Sequence, residues 1–266
     1  MGKEKIATYF EKIQANDQHL FVPYIVAGDG EGGVHNLKER IAFLQDCGAA
    51  AIELGIPFSD PVADGPTIQE GSIRALENGT TLKSVLDVLA IDKEKRDIPI
   101  VLMTYINPIF AFGIDSFAET CERVGVDGVI IPDVPLEEEA LLTAALAKHS
   151  IAFIRLAALT SPPERLEQIA SRTEGFLYAV SVKGTTGARE AHQENVATYL
   201  EQLKQYSDVP VLAGFGVSNP TQAHALSAHS DGVIVGSKIV DLLHQGKEKE
   251  VRHLIEESIT KKASLA

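Results

Sequence analysis

The sequence predicts a single (β/α)8 barrel, the TIM barrel, from three observations: eight short apolar segments, a helical pattern after each, and no linker dividing the 266 residues. The apolar segments are almost continuous in Val, Ile, Leu and Ala, as in strands of a parallel sheet buried on both faces. Strict alternation of strand and helix eight times over suits a closed barrel, and about 250 residues is the usual size of one such domain. A doubly wound open sheet also alternates, but no G-x-G-x-x-G follows the first strand here. The expectation is one α/β domain, residues 1–266, with an extra N-terminal helix and extra helices after strands two and eight.

Each element has a local reason. Residues 3–15 place Ile6, Tyr9, Phe10 and Ile13 on one stripe at helical period. The first strand, 20–26, ends at Ala27-Gly-Asp-Gly30, and a helix over about 33–46 turns Leu37, Ile41 and Leu44 inward and stops at Gly48. Further strands are expected at 50–54, 99–103, 126–131, 151–156, 176–181, 209–213 and 232–235. Helices fall between them at about 80–91, 115–123, 136–148, 163–171, 193–205 and 219–228, then at 237–245 and 247–261. Thr67–Glu77 is the additional helix after strand two.

Composition narrows the function classes. A net charge of −13 argues against nucleic acid and anionic membrane as partners, because both select basic surface. It also means that an anionic ligand must be held by local donors. Cys47 and Cys121 have no metal-like spacing and read as buried free thiols. The amino terminus lacks the apolar core of a signal peptide, and no apolar run approaches the ~20 residues of a membrane span. The expectation is a soluble, cytoplasmic protein.

The stretch Glu53-Leu-Gly-Ile-Pro-Phe-Ser-Asp-Pro-Val-Ala-Asp64-Gly-Pro-Thr-Ile-Gln69 carries the chemistry. Strand alternation puts Ala51 and Glu53 on one face, and an acid in such an apolar run loses water, which raises its pKa. Such a carboxyl can both give and take a proton near neutrality. Asp64 follows on a loop stiffened by Pro57, Pro61 and Pro66, so the two carboxyls suggest an acid–base pair. The same residues also fit a plainer account, with Glu53 paired to a Lys or Arg and Asp64 serving ordinary turn chemistry.

Barrel active sites form where the strands end. Strand three ends in Leu102-Met-Thr-Tyr-Ile-Asn107-Pro108 and strand four in Ile131-Pro-Asp133-Val-Pro135. There Pro108 and Pro135 fit turns, and Asp133 fits a cap for a helix starting at Leu136 as well as it fits catalysis. Strand six leads into Ser181-Val-Lys-Gly184-Thr-Thr-Gly187-Ala-Arg189, strand seven into Gly214-Phe-Gly216-Val-Ser218, and strand eight into Gly236-Ser237. Glycines at three adjacent strand ends, with a helix amino terminus, suit phosphate binding by backbone N–H groups. Lys183 and Arg189 would steer an anion or simply be solvated. Tyr24, Leu102, Phe215 and Tyr178 would wall a pocket for a flat ring or pack as plain core. No histidine pair has ligand spacing and no Ser/His/Asp set stands out. The residues alone therefore suggest proton-transfer chemistry on a small organic phosphate: isomerisation, aldol-type cleavage or dehydration.

The Glu53–Gln69 stretch resembles the signature of the tryptophan synthase alpha chain family. Phe21-Val-Pro-Tyr24, Met103-Thr-Tyr-Ile-Asn-Pro108, Ile131-Pro-Asp-Val-Pro135, Gly184-Thr-Thr-Gly187, Gly214-Phe-Gly216 and Gly236-Ser237 resemble family segments in family order, over essentially the whole chain. The resemblance implies a lyase of L-tryptophan biosynthesis that cleaves indole-3-glycerol phosphate to indole and glyceraldehyde 3-phosphate. It implies that Glu53 protonates C3 of the indole and then accepts the glycerol hydroxyl proton, that Asp64 meets the indole N–H, and that Tyr178 lies near the glutamate. It assigns phosphate to Gly187, Gly216, Gly236 and Ser237, and with it Tyr24, Leu102 and Phe215, read above as a pocket wall, are the expected indole pocket. It also implies a partner beta chain in an alpha2-beta2 complex, with pyridoxal phosphate in that partner and no cofactor or metal in this chain. Two departures stand out: the 181–187 loop reads Ser-Val-Lys-Gly-Thr-Thr-Gly, and Phe176 replaces a tyrosine found in some members. A free-standing indole-glycerol phosphate lyase, or a regulatory subunit that binds the phosphate without chemistry, are the alternatives.

Overall fold

The computed structural model describes residues 2–181 and 189–261. Helix α1 (Gly2–Ala15) precedes β1 (Leu20–Val26), α2 (Leu37–Asp46), β2 (Ile52–Gly55), α3 (Pro66–Glu77), α4 (Leu82–Asp92) and β3 (Ile100–Met103). Then follow α5 (Ile106–Phe112), α6 (Ile114–Val124), β4 (Gly128–Ile130), α7 (Ala140–Lys148), β5 (Ala152–Phe153), β6 (Arg155–Ala158), α8 (Pro163–Arg172) and β7 (Leu177–Val180). The chain continues through α9 (Arg189–Tyr206), β8 (Val211–Gly214), α10 (Pro220–Ser227), β9 (Gly232–Val235), α11 (Ser237–His244) and α12 (Glu248–Ile259). No helix among the described residues is long and apolar enough to cross a membrane.

The strands form one parallel sheet in the order β5-β4-β3-β2-β1-β9-β8-β7-β6. Its two edges, β5 and β6, are halves of the fifth expected strand, separated only by Ile154. The N–H of Ile154 still donates to Val129 O at 2.9 Å, whereas that of Arg155 donates to Thr173 Oγ1 at 3.0 Å. Between these two residues the chain changes ladder partner, from β4 to β7. The result is a nearly closed α/β barrel of the expected kind.

Period-two alternation divides each strand between two cores. Leu20, Val22, Tyr24 and Val26 of β1, with Val101 and Met103 of β3, fill the interior. Phe21, Ile25, Leu54, Ile100 and Leu102 face the helices. Helix α1 plugs the amino-terminal end: Ile6 and Phe10 join the interior cluster, and the Phe10 and Phe176 rings stack at 6.0 Å. The expected extra helices α1, α3 and α12 are all present.

Two local expectations change. Ile106–Phe112 is helical, although Pro108 suggested a turn. Pro108 is the third residue of α5, where a backbone N–H has no intrahelical acceptor to lose. Asp133 does not cap a helix starting at Leu136, because α7 begins only at Ala140. Its carboxylate instead accepts the N–H of Ile106 at 3.1 and 3.2 Å, capping α5 from the neighbouring strand end.

Helix α3 matters most for the site, because it directly follows the Asp64 loop. Pro66 occupies its first turn, and Gly71 lets it lie close: a Cβ there would come within 3.1 Å of Asp29 Oδ2 and 3.4 Å of Val240 Cγ1. Arg74 then grips Asp29 with both arms of its guanidinium, at 2.7 and 2.9 Å. Asn78 Nδ2 donates to the carbonyls of Gly28 and Gly30 at 3.0 Å each, and Arg40 Nη1 to that of Asp29 at 2.7 Å. Helix and strand-one loop are thus one unit. Arg74→Met leaves the buried Asp29 carboxylate without its ion partner and is expected to lower stability by about 2–3 kcal/mol. A urea midpoint unchanged from the parent would contradict that.

Candidate active site

The register of β1, β2 and β3 fixes the centre. Tyr24 pairs with Glu53, and Glu53 with Val101, so the three point together into the barrel. Glu53 is 3% exposed, and its Oε2 is buried without a hydrogen-bond partner. Desolvation, then the charge of Asp64, pushes its carboxyl up to about 8. Among the described residues no Lys or Arg pairs with it, so the plainer reading of a paired strand acid finds no partner there.

Asp64 is half-buried on the loop after β2. Burial raises its carboxyl to about 6, against the pull of the Tyr105 phenol, which favours the carboxylate. Tyr105 also receives the N–H of Ala63 on its hydroxyl at 3.0 Å and stacks on Phe58 at 5.3 Å. One buried phenol therefore organises three residues of the loop. Gln69 Nε2 closes the loop from α3 by donating to Asp64 O at 2.9 Å.

Two tyrosines complete the wall, each beside a glycine. A Cβ on Gly55 would collide with the Tyr24 hydroxyl, and one on Gly214 with the Tyr178 ring. Each glycine stands two residues beyond the tyrosine's register partner on the next strand, Glu53 for Tyr24 and Leu212 for Tyr178. The missing side chain is the space the ring occupies. Burial and the charges of Glu53 and Asp64 hold both phenols well above their usual range, so they remain neutral donors.

Tyr178 also opens onto a cleft of about 400 Å³ lined by Thr67, Ile68, Gly216, Gly236 and Ser237. Gly216 has φ +68, and no atom of the described residues lies within 4 Å of where a Cβ would sit. Gly236 precedes α11, whose first N–H groups have no hydrogen-bond acceptor among the described residues. A Cβ on Gly236 would lie 3.4 Å from Ile68 Cδ1 and 3.6 Å from Tyr24 Cβ, so this cleft adjoins the carboxyl centre.

The structure thus brings Glu53, Asp64, Tyr24 and Tyr178 to one centre and Gly216, Gly236 and Ser237 to one adjoining cleft. Gly187, like Lys183, lies outside the described residues. Leu102 does not reach the interior: it pairs with Leu54 and packs among the outer residues beneath the helices. Alternation gives the inward positions to Val101 and Met103. Phe215 is half-buried against the outer cluster, its ring 6.1 Å from that of Tyr199. Tyr105, Met103, Thr67 and Ile68 are site residues that the sequence reading passed over. Counting in twos from Val101, which pairs with Glu53, finds Met103 and Tyr105 directly.

Comparison with known proteins agrees with this geometry. A family model described as tryptophan synthase alpha chain matches residues 10–265. The chain is 58% identical over 263 residues to the tryptophan synthase alpha chain of Oceanobacillus iheyensis, covering 98% of this chain and 99% of that one. It is 48% identical to that of Bacillus cereus, covering 96% of each. Among solved structures, tryptophan synthase from M. tuberculosis superposes with a TM-score of 0.83 at 32% identity, covering 95% of this chain and 96% of that one. The alpha subunit from Legionella pneumophila gives 0.85 at 31% identity, covering 96% of each. The chain belongs to the tryptophan synthase alpha chain family.

Proposed function

We propose that this chain cleaves indole-3-glycerol phosphate to indole and glyceraldehyde 3-phosphate with Glu53 as general acid and base and Asp64 as the partner of the indole N–H. The observation that carries the assignment is the separation of the two carboxyls, Glu53 near 8 and Asp64 near 6. Between those values Glu53 holds a proton and Asp64 is ionised, the pairing the reaction needs. Glu53 delivers its proton to C3 of the ring while Asp64 stabilises the positive charge that gathers at the ring N–H. The C3–glycerol bond then breaks, its electron pair returns to the indole, and the Glu53 carboxylate accepts the proton of the hydroxyl that becomes the aldehyde. Glu53 ends protonated, as it began. Neutral Tyr24 and Tyr178 shape the wall without competing for protons.

The phosphate is held by the free N–H groups at Gly216, Gly236 and Ser237, with Gly187 completing the site, and the indole by Tyr24 and Met103. The whole chain acts as one barrel domain in the cytoplasm. It needs no cofactor of its own; pyridoxal phosphate belongs to a partner beta chain in an alpha2-beta2 complex. Val62, Phe110 and Leu141 are exposed apolar side chains on the segments that follow β2, β3 and β4. The partner would dock over these segments at the barrel mouth.

Indole release should be measured on the purified chain alone and with a tryptophan synthase beta chain. Slow cleavage that rises strongly with the partner supports the subunit role, and fast cleavage alone supports a free-standing lyase. Glu53→Gln is expected to lower kcat by about 10²–10⁴ while phosphate ligands still bind; substantial residual turnover would refute the assignment.

The same variant should be more stable than the parent. The Glu53 carboxyl is raised on folding, so its contribution falls as pH climbs from the usual carboxylate value to about 8. Glu53→Gln removes that loss. Its unfolding free energy from urea titration should match the parent below pH 4.5 and exceed it at pH 8 by on the order of 2–4 kcal/mol.

The pH profile of kcat/KM should peak between limbs near 6 and 8, which belong to the pair rather than to either residue alone. Tyr105→Phe removes the phenol that favours the Asp64 carboxylate, so the acid limb moves up. An acid limb that stays in place would show that Tyr105 does not tune Asp64.

A further inference from the structure

We infer that Lys238 is a further binding residue for the phosphate of the substrate, an inference that rests on the function proposed above and extends its phosphate site. Lys238 is the second residue of α11, directly after Ser237, and it lines the same cleft as Gly216, Gly236 and Ser237. It is half-buried. Among the described residues it makes no ion pair and no side-chain hydrogen bond. It is also the only cation among the described residues lining the cleft.

Charge balance gives this lysine a task. The chain carries −13, and Asp241, one turn further along α11, adds a carboxylate to the same wall. A phosphate monoester brings a charge of about −1.5 to −2 at neutral pH. The free N–H groups of one helix terminus offer the equivalent of roughly +0.5. Backbone donors therefore orient the phosphate but leave most of its charge uncompensated, beside an acid. An ammonium on a flexible stem at the second helical residue supplies a mobile point charge where it is missing. It would offset Asp241 and turn to the phosphate when substrate enters.

The test uses the full chain with its beta chain, in the parent, Lys238→Met and Lys238→Arg forms. Lys238→Met is expected to raise KM for indole-3-glycerol phosphate about tenfold and the inhibition constant of glycerol 3-phosphate by a similar factor. Inhibition by 3-indolepropanol, which fills the ring pocket but has no phosphate, should change less than about twofold, and Lys238→Arg should recover most of the loss. Added salt should weaken glycerol 3-phosphate more in the parent than in Lys238→Met. Equal weakening of both inhibitors would mean a merely structural role, and no weakening would mean a solvated surface charge; either overturns the proposal. Calorimetric titration with inorganic phosphate separates this inference from the functional one. If the parent releases no indole, the functional reading fails, while phosphate binding that weakens in Lys238→Met still supports the lysine; equal binding by both forms, or none by the parent, overturns it.

Discussion

The Glu53 carboxyl sits at a strand end with one oxygen buried and without a hydrogen-bond partner among the described residues, and the rest of the site follows from that cost. A buried, unpartnered carboxylate is expensive, so the group keeps its proton to about pH 8. The barrel tolerates it because the neighbours that could ionise, Tyr24 and Tyr178, are held neutral by the same burial. Asp64, nearer to solvent and beside a phenol, ionises first. One fold thereby supplies a proton donor and an anion side by side, set by depth of burial rather than by residue type.

Holding that arrangement falls to contacts away from the two carboxyls. Helix α3 is drawn onto the strand-one loop by the Arg74–Asp29 pair and by Asn78, and its first turn fixes the end of the Asp64 loop. Gly71 allows this closeness, as Gly55 and Gly214 make room for the two tyrosines. Helix α3 also packs against α11, so the element that ends the Asp64 loop adjoins the element that follows Gly236. The carboxyl centre and the glycine-lined cleft are joined by packing through a short helix.

Much of this was legible in the chain. Eight apolar runs with helical patterns between them fixed the barrel, because strands buried on both faces have no polar positions to confuse the pattern. Glu53 stood out as an acid in such a run. Side-chain direction was harder. Leu102 drew attention as a large apolar residue near a strand end, but the β2–β3 register turns it outward and gives Met103 and Tyr105 the inward places. Asp133 looked like a cap for its own helix and serves α5 instead, since a cap across neighbouring strand ends leaves no local spacing to read. The α5 helix itself was hidden by Pro108, read as a breaker although it stands in a first turn. The division of labour between Glu53 and Asp64 depends on burial, which no motif encodes.

The account rests on Glu53 being protonated when substrate arrives. Carbon NMR of the Glu53 carboxyl, labelled and titrated from pH 4 to 10 in the parent and in Asp64→Asn, tests this directly. The expected midpoint in the parent is about 8, falling but staying above the usual carboxylate value in the variant, since burial outweighs the Asp64 charge. A midpoint near 4.5 in the parent would contradict the account, because Glu53 would then enter the reaction with no proton to give.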